Sequence, residues 1–413
     1  MPQGYPSGMS LFSHVSLAGR SGPELSLPDQ IERICIILAG FYLAFLVGSA
    51  FQGYWLIDPS GRPIANDFVN VFAAGKLALS GQAVAAYDWT LHKAAENAAV
   101  GYAFDGYYNW PYPPTFLFPA VALATLPYIP AALIWLALTL PLYVVTIRAI
   151  IGERRGVALA LGFAGVVWTL AAGQNGFLTA ALVGGVLLLL DRHPVVAGIL
   201  LGLLTYKPHF GLLFPLVLLL DRRWTVIVSA TLTALALAAA AWLAFGSEPW
   251  RAFVEQVLTT SDVVFKEGRA GLFKQQTLLG LVRFLGGPMA LAWTLHGLLM
   301  AASAAAAYYV WRFARSSEIK AAALGVAALL VTPYLYMYDF PVLAVPIAFL
   351  VRLALHDGFL KYELAALSVV SALIIIHPFI DRPTGLPATL IVAALVARRA
   401  WRELHSPALT VPA

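Results

Sequence analysis

Asp67 heads the stretch DFVNVFAAGKLALSGQAVAAYD, which follows the first long apolar segment of a chain with few other charges. A carboxylate in water just beyond a membrane anchor can take a proton from a hydroxyl, the work of a general base. From Asp67, the apolar positions Phe68, Val71, Phe72, Ala78 and Leu79 follow helical spacing with Gly75 on the same face, while Asn70, Lys76 and Ser80 point elsewhere. The spacing predicts an amphipathic helix along the bilayer surface, capped by Asn66 and ended by Gly81. Asp67 is then either the base or a first-turn acid favoured by the helix dipole. Of the other acids in this loop, Asp58 and Asp105 read as solvated turn residues, and Asp88 is the better rival.

Lys207 interrupts a nearly continuous apolar stretch from Pro194 to Leu220. An ammonium at membrane depth is costly, so it either serves function or snorkels to the interface. With His209 beside it, it could bind a phosphate. Asp339, in TPYLYMYDFP, is the only acid between Glu318 and Asp357; it is either a site residue or an interfacial acid beside an aromatic belt. Gln174 with Asn175, and Gln275 with Gln276, offer amides that would hydrogen-bond a sugar or cap a helix. Tyr107, Tyr108, Asn109, Trp110 and Tyr112 combine an aromatic platform with an amide, as sugar sites do and as interfacial belts do.

The elements that must hold these groups are set by composition. The 413 residues are 60% hydrophobic and 11% charged, against about 25% charged in a soluble domain. Trp224 to Phe245 has no charge and Met289 to Trp311 carries only His296, and each exceeds the ~20 residues needed to cross the hydrocarbon. The alternation of an outer-membrane barrel is absent, so the spans are helices. The net charge of +5 is spread between apolar runs as orientation signals, and no nucleic-acid partner follows from it. Cys35 is the single cysteine, which excludes an intramolecular disulfide and a cysteine-based metal site. Residues 1–30 read as a disordered cytoplasmic tail, 31–403 as one integral membrane domain, and 404–413 as a short C-terminal tail.

Basic clusters at Arg148 to Arg155, Arg192, Arg222 with Arg223, Arg312 to Lys320, Arg352 with Lys361, and Arg398 to Arg402 mark the cytoplasmic side. The loops between them are poor in cations and rich in polar and aromatic residues: 52–111, 173–175, 206–209, 246–275, 332–340 and 377–385. All then share the extracytoplasmic face of a plasma (inner) membrane. Spans near 31–52, 130–148, 157–172, 176–190, 194–206, 209–220, 224–245, 289–311, 319–333, 341–355, 362–377 and 386–398 give about twelve crossings. Residues 112–127 read as a short or re-entrant helix, or as a thirteenth crossing. The similar endings LLLLDRH and LVLLLDRRW are explained by two helices stopping at one interface.

No Walker loop, GxGxxG after a strand, DxD or HExxH is present. An extracytoplasmic site without nucleotides needs a substrate already activated in the membrane, and polyprenyl-phosphate sugars meet that need. Asp67 with Gly81 and Tyr87-Asp88, Tyr112-Pro113-Pro114, Gly173-Gln174-Asn175, Gly198 and Gly202 before Lys207-Pro208, and Thr332-Pro333 before Tyr338-Asp339 resemble in order and spacing glycosyltransferase family 87. That family includes polyprenol-phosphate-mannose-dependent α-1,2-mannosyltransferases of the GT-C superfamily. The resemblance implies an all-α polytopic fold of GT-C type, with amphipathic helices in the first extracytoplasmic loop. It also implies an inverting enzyme whose catalytic aspartate maps onto Asp67. The chain departs from the family in having Tyr338-Asp339 where its mannosyltransferases can place a His after the Pro.

The expectation is a hexosyltransferase moving a hexose, mannose by the resemblance, from a polyprenyl-phosphate to a hydroxyl of a glycolipid or glycan. Asp67 would be catalytic, Lys207 and His209 would bind the donor phosphate, and Asn109, Tyr112, Gln174, Asn175, Gln276, Tyr338 and Asp339 would contact sugar or acceptor. No cofactor is called for, and a divalent metal is left open. A secondary transporter would show polar residues in corresponding halves at the midplane, whereas here they gather on one face. A non-catalytic scaffold in envelope glycan assembly would make the placements of Asp67 and Lys207 accidental.

Overall fold

In the computed structural model, which describes residues 26–106 and 108–405, helices account for 77% of the chain and no strand forms among the described residues. The anchor helix α1 (Leu27–Phe51) starts earlier than expected. The Ser26 hydroxyl accepts from the Asp29 backbone amide, and Pro28 occupies the first turn, a combination that begins helices. Residues 27–30 are therefore helical, not part of a disordered tail; the rest of that tail lies outside the described residues, as does Tyr107. The loop after α1 carries α2 (Phe68–Leu79) and α3 (Trp89–Val100), and α4 (Leu117–Ala124) follows it.

The membrane body continues with α5 (Tyr128–Ile151), α6 (Gly156–Gly162), α7 (Gly165–Ala172), α8 (Gly176–Leu189), α9 (Pro194–Leu203), α10 (Phe214–Leu220) and α11 (Trp224–Phe245). Beyond α11, α12 (Glu248–Ser261) and α13 (Leu278–Phe284) belong to a second long loop. The chain then returns through α14 (Met289–Phe313), α15 (Ser317–Val331), α16 (Ala344–Asp357), α17 (Glu363–Ile380) and α18 (Gly385–His405). Every crossing expected from the sequence is helical. Among them, α1, α5, α11, α14, α17 and the segment Met337–Asp357 are long and apolar enough to cross a membrane alone. The C-terminal helix also runs past 403, so the expected tail begins no earlier than residue 406, outside the described residues.

Residues 114–124 form a 3-10 turn followed by α4. At 1.5 Å per residue this is about 16 Å, half the hydrocarbon thickness. This length fits the short-helix reading of the segment. Its partner is α2, and the contact is close because Gly75 has no side chain: a Cβ there would lie 2.1 Å from the Ala120 carbonyl oxygen. This contact corrects the surface-lying expectation for α2. Phe68 through Gly75 are buried on every face, so the helix sits inside the fold rather than along the bilayer.

Small residues set the other tight contact. Gly198 and Gly202, one turn apart on α9, press it against Ser229 and Thr233 of α11, where Cβ atoms would fall 1.8 and 2.5 Å from those side chains. At the far ends of the helices the basic clusters are tied down. Arg223 bonds Asp191 at 2.6 Å, joining the two similar helix endings. Arg155 bonds Asp29 at 2.6 Å and Glu32 at 3.2 Å, and Arg399 bonds Glu363 at 2.6 Å in a buried pair.

Orientation is tested directly. In a Cys35→Ser background, Asp105→Cys and Ser247→Cys, both at exposed positions, should react with a membrane-impermeant maleimide in intact cells. Ser317→Cys, at the start of α15, should react only after the membrane is opened. Reaction of Ser317→Cys from outside would reverse the orientation.

Candidate functional site

Loop segments that charge bias alone assigned to one face meet around a single cavity of about 610 Å³. Its wall takes Asp67 from the first loop, Tyr112 and Gln174 from the starts of apolar segments, Lys207 and His209 from the break after α9, Lys274 from the second long loop, and Asp339 and Asp381 from the last two. Much of the remaining wall is apolar or aromatic, including Trp168, Leu212, Phe253, Val257 and Phe273.

Asp67 occupies the N-cap position of α2, yet its carboxylate makes no capping hydrogen bond. The neighbouring Asn66 does that work, accepting from the Phe68 amide at 3.1 Å. Asn66 is itself held by the Tyr128 hydroxyl, which donates to it at 3.1 Å. The helix start is thus built without the Asp67 side chain, which is half-buried against the cavity. Displacement of water by surrounding protein pushes its carboxyl up to about 6; Lys274 and Lys207 pull it down, and Asp339 pushes it up. The competing acids are spent elsewhere. Asp88 caps α3 by accepting from the Leu91 amide at 2.9 Å, and Asp58 closes a turn onto Ser60 and Arg62. Asp105 is exposed and off the cavity wall.

Lys207 is nearly fully buried, and its ammonium donates to Asp339 Oδ1 at 2.6 Å. Asp339 Oδ2 accepts from the Tyr336 amide at 3.2 Å, so this carboxylate closes its own 3-10 turn and neutralises the lysine. The pair was not visible in sequence, where each residue stood alone as a ligand. Tyr338 lies under the lysine, its ring centroid 5.4 Å from Nζ. The Tyr338 carbonyl accepts from Thr169 at 3.0 Å and rests on Gly176, where a Cβ would come within 1.8 Å of it. This packing fixes the Met337–Leu343 turn against the start of α8.

The amides divide. Gln174 faces the cavity and accepts from the Tyr112 hydroxyl at 3.2 Å, while Asn175 donates to that hydroxyl at 2.8 Å. Asn175 is fully buried and off the cavity wall, so it orients Tyr112 instead of meeting a sugar itself. Gln276 is likewise off the wall. Its carbonyl accepts from the Gly385 amide at 2.8 Å, and its amide donates to the Phe273 and Lys274 carbonyls at 3.1 and 3.0 Å. It bolts the second long loop to the start of α18. Asn109, Tyr112, His209 and Tyr338 line the cavity as expected.

Residues the sequence reading missed include Asn70, Tyr206, Lys274, Tyr336 and His377, all on the wall. Asn70 was assigned to a face turned away, but it follows Asp67 by three, and residues three apart share a helix face. Lys274 is exposed to the cavity, the ion pairs of the described residues leave it out, and it is the foremost cation acting on Asp67. Its signal was faint: a lysine between Gly271 and Gln276 in a loop already placed on the right face. Among the described residues, no group of three or more His, Cys, Asp or Glu could hold a metal ion.

A carboxylate facing cations across a partly apolar cavity suits transfer chemistry on an amphiphilic substrate, and the comparison with protein families agrees. The model of glycosyltransferase family 87 matches residues 110–333, more than half of the 413-residue chain. No curated protein and no solved structure matches it. The matched span carries Tyr112, Gln174, Lys207 and Lys274, while Asp67 and Asp339 flank it on either side. With both lysines of the cavity inside that match, the chain belongs to glycosyltransferase family 87.

Proposed function

We propose that the cavity transfers a hexose, mannose by family resemblance, from a polyprenyl-phosphate to an acceptor hydroxyl on a glycolipid or glycan at the extracytoplasmic face. The observation that carries this reading is the free carboxylate of Asp67, in one cavity with Lys274 and the Lys207–Asp339 pair. Asp67 accepts the hydroxyl proton as the acceptor oxygen attacks the anomeric carbon. The bond from that carbon to the phosphate oxygen breaks on the opposite side, and the configuration inverts. Negative charge grows on the departing phosphate, where a positioned cation lowers the barrier. Lys274 is the better candidate for this than Lys207, because Asp339 already neutralises the latter. The apolar walls suit a prenyl chain. No cofactor enters this mechanism.

Incubation of the purified protein with polyprenyl-phosphate-[14C]mannose and membrane lipid extracts should yield a labelled glycolipid; label that stays on the donor or appears only as free mannose would refute it. If Lys274 meets the phosphate, Lys274→Ala should lower kcat/KM for the donor by about 10- to 150-fold, the loss of one charge-assisted contact of ~1.5–3 kcal/mol. Lys274→Arg should restore part of it. Donor kinetics unaffected by Lys274→Ala would return the phosphate to Lys207 and His209.

A further inference from the structure

Two side chains from the start of α2 reach the large cavity, those of Asp67 and Asn70. They are three residues apart, a spacing that puts side chains on one helix face with Cβ atoms about 5–6 Å from each other. Asn70 is also the one polar residue in the run FVNVFAAG, all of which is buried.

The Asn70 amide bonds nothing in the protein. The residue is 4% exposed, its side-chain oxygen is enclosed without a partner, and among the described residues no group hydrogen-bonds its side chain. Burying an unpaired amide oxygen costs free energy that a leucine of similar volume would avoid. The amide nitrogen is the end left open, and it is a donor on the same wall where Asp67 is an acceptor. In the resting cavity a water can sit between them. The hydroxyl that gives its proton to Asp67 takes the place of that water. The Asn70 N–H then loses its partner unless the incoming molecule brings a second oxygen beside the first, and displacing a bound water without reproducing its bonds weakens binding. A hydroxyl on the next ring carbon supplies that oxygen.

We propose that Asn70 binds the neighbour of the attacking hydroxyl, so that the acceptor is a vicinal diol with one oxygen on Asp67 and the next on the Asn70 amide. The acceptor class is then a sugar or a cyclic polyol, and an isolated alcohol is rejected. This rests on the proposed transfer function of the cavity, and the test separates the two.

Octyl glycosides of glucose, galactose and mannose are offered to the purified full-length protein with polyprenyl-phosphate-[14C]mannose, and linkage analysis of the product gives the attacking position. Of the monodeoxy analogues of the preferred glycoside that lack a hydroxyl next to that position, one should show a kcat/KM about 10- to 100-fold lower. Asn70→Leu should lose about the same factor on the parent glycoside and nothing further on that analogue, with a melting temperature no lower than that of the wild type. Dissociation constants for the parent glycosides and their monodeoxy series, by titration calorimetry without donor, read the contact apart from turnover. A loss of affinity for one analogue that Asn70→Leu abolishes, with no labelled product from glycosides or lipid extract, would uphold the contact and overturn the transfer function. Equal kcat/KM with equal or absent binding across the wild-type series, or a preference that Asn70→Leu leaves intact, would overturn the contact and leave Asn70 to water.

Discussion

Asp67→Asn should lower sugar transfer by about 10²- to 10⁴-fold, the usual worth of a general base, while the protein still folds and binds donor. The structure separates this outcome from a role in helix stability, because Asn66 supplies the cap and the Asp67 carboxylate supplies none. A carboxyl pushed up to about 6 is ionised at neutral pH but only modestly below it in basicity, a favourable position for a base. The rate should accordingly fall about tenfold per pH unit below about 6 and level off above. Removing the foremost opposing cation, in Lys274→Met, should shift that acid limb to higher pH. The sign for stability is the reverse of the usual acid. A folded value raised above the unfolded one favours folding fully at low pH, and that benefit is lost as pH rises through about 6. Asn, which cannot ionise, should therefore melt no lower than the wild type at pH 7. Asp88→Asn keeps a capping side chain on α3, and transfer should be nearly unchanged. Wild-type turnover in Asp67→Asn, with a lowered melting temperature, would make Asp67 a helix-start acid and end the mechanism.

Lys207→Met should destabilise the fold by about 3–5 kcal/mol, the cost of leaving one member of a buried ion pair unpaired. Both side chains are nearly buried, and the contact is 2.6 Å. The double variant Lys207→Met with Asp339→Leu removes both charges and should regain most of the stability, since an apolar replacement of a buried pair is often neutral or better. Denaturant unfolding in detergent, read as a double-mutant cycle, measures the difference. Should each single variant unfold with the wild type, the pair is open to water and its residues are free to act separately.

Hydropathy marked the segments that turn out helical, because apolar runs follow from the cost of placing charge in hydrocarbon, and the loops that charge bias grouped line one cavity. Asp67 was legible because its type and position, beyond an anchor and at a helix start, are local facts. Pairings were not. Lys207 and Asp339 lie far apart in the chain, and nothing local says that they meet. The same holds for the bond from the Gly385 amide to Gln276, which lies far from it in the chain. The burial of α2 escaped for a different reason. A half-polar helix suits a bilayer surface as well as a polar cavity, and only the closeness of Gly75 to α4 distinguishes them.

The span of the chain that the cavity draws on, from Asp67 to Asp381, also bears on how the protein is born. A ribosome adding 5–20 residues per second needs on the order of half a minute to travel between these two residues. During that interval Asp67 is already made, but the lysines and the final loop that would complete the cavity are still unmade or uninserted. A chain stopped early by a nonsense codon, or cut by a membrane protease after α14, would keep Asp67 and Lys207 and lack Asp339, the partner of Lys207. Such fragments would leave Lys207 unpaired in the bilayer and be recognisable to quality control. Catalytic competence and structural completeness would thus arrive together, at the end of synthesis.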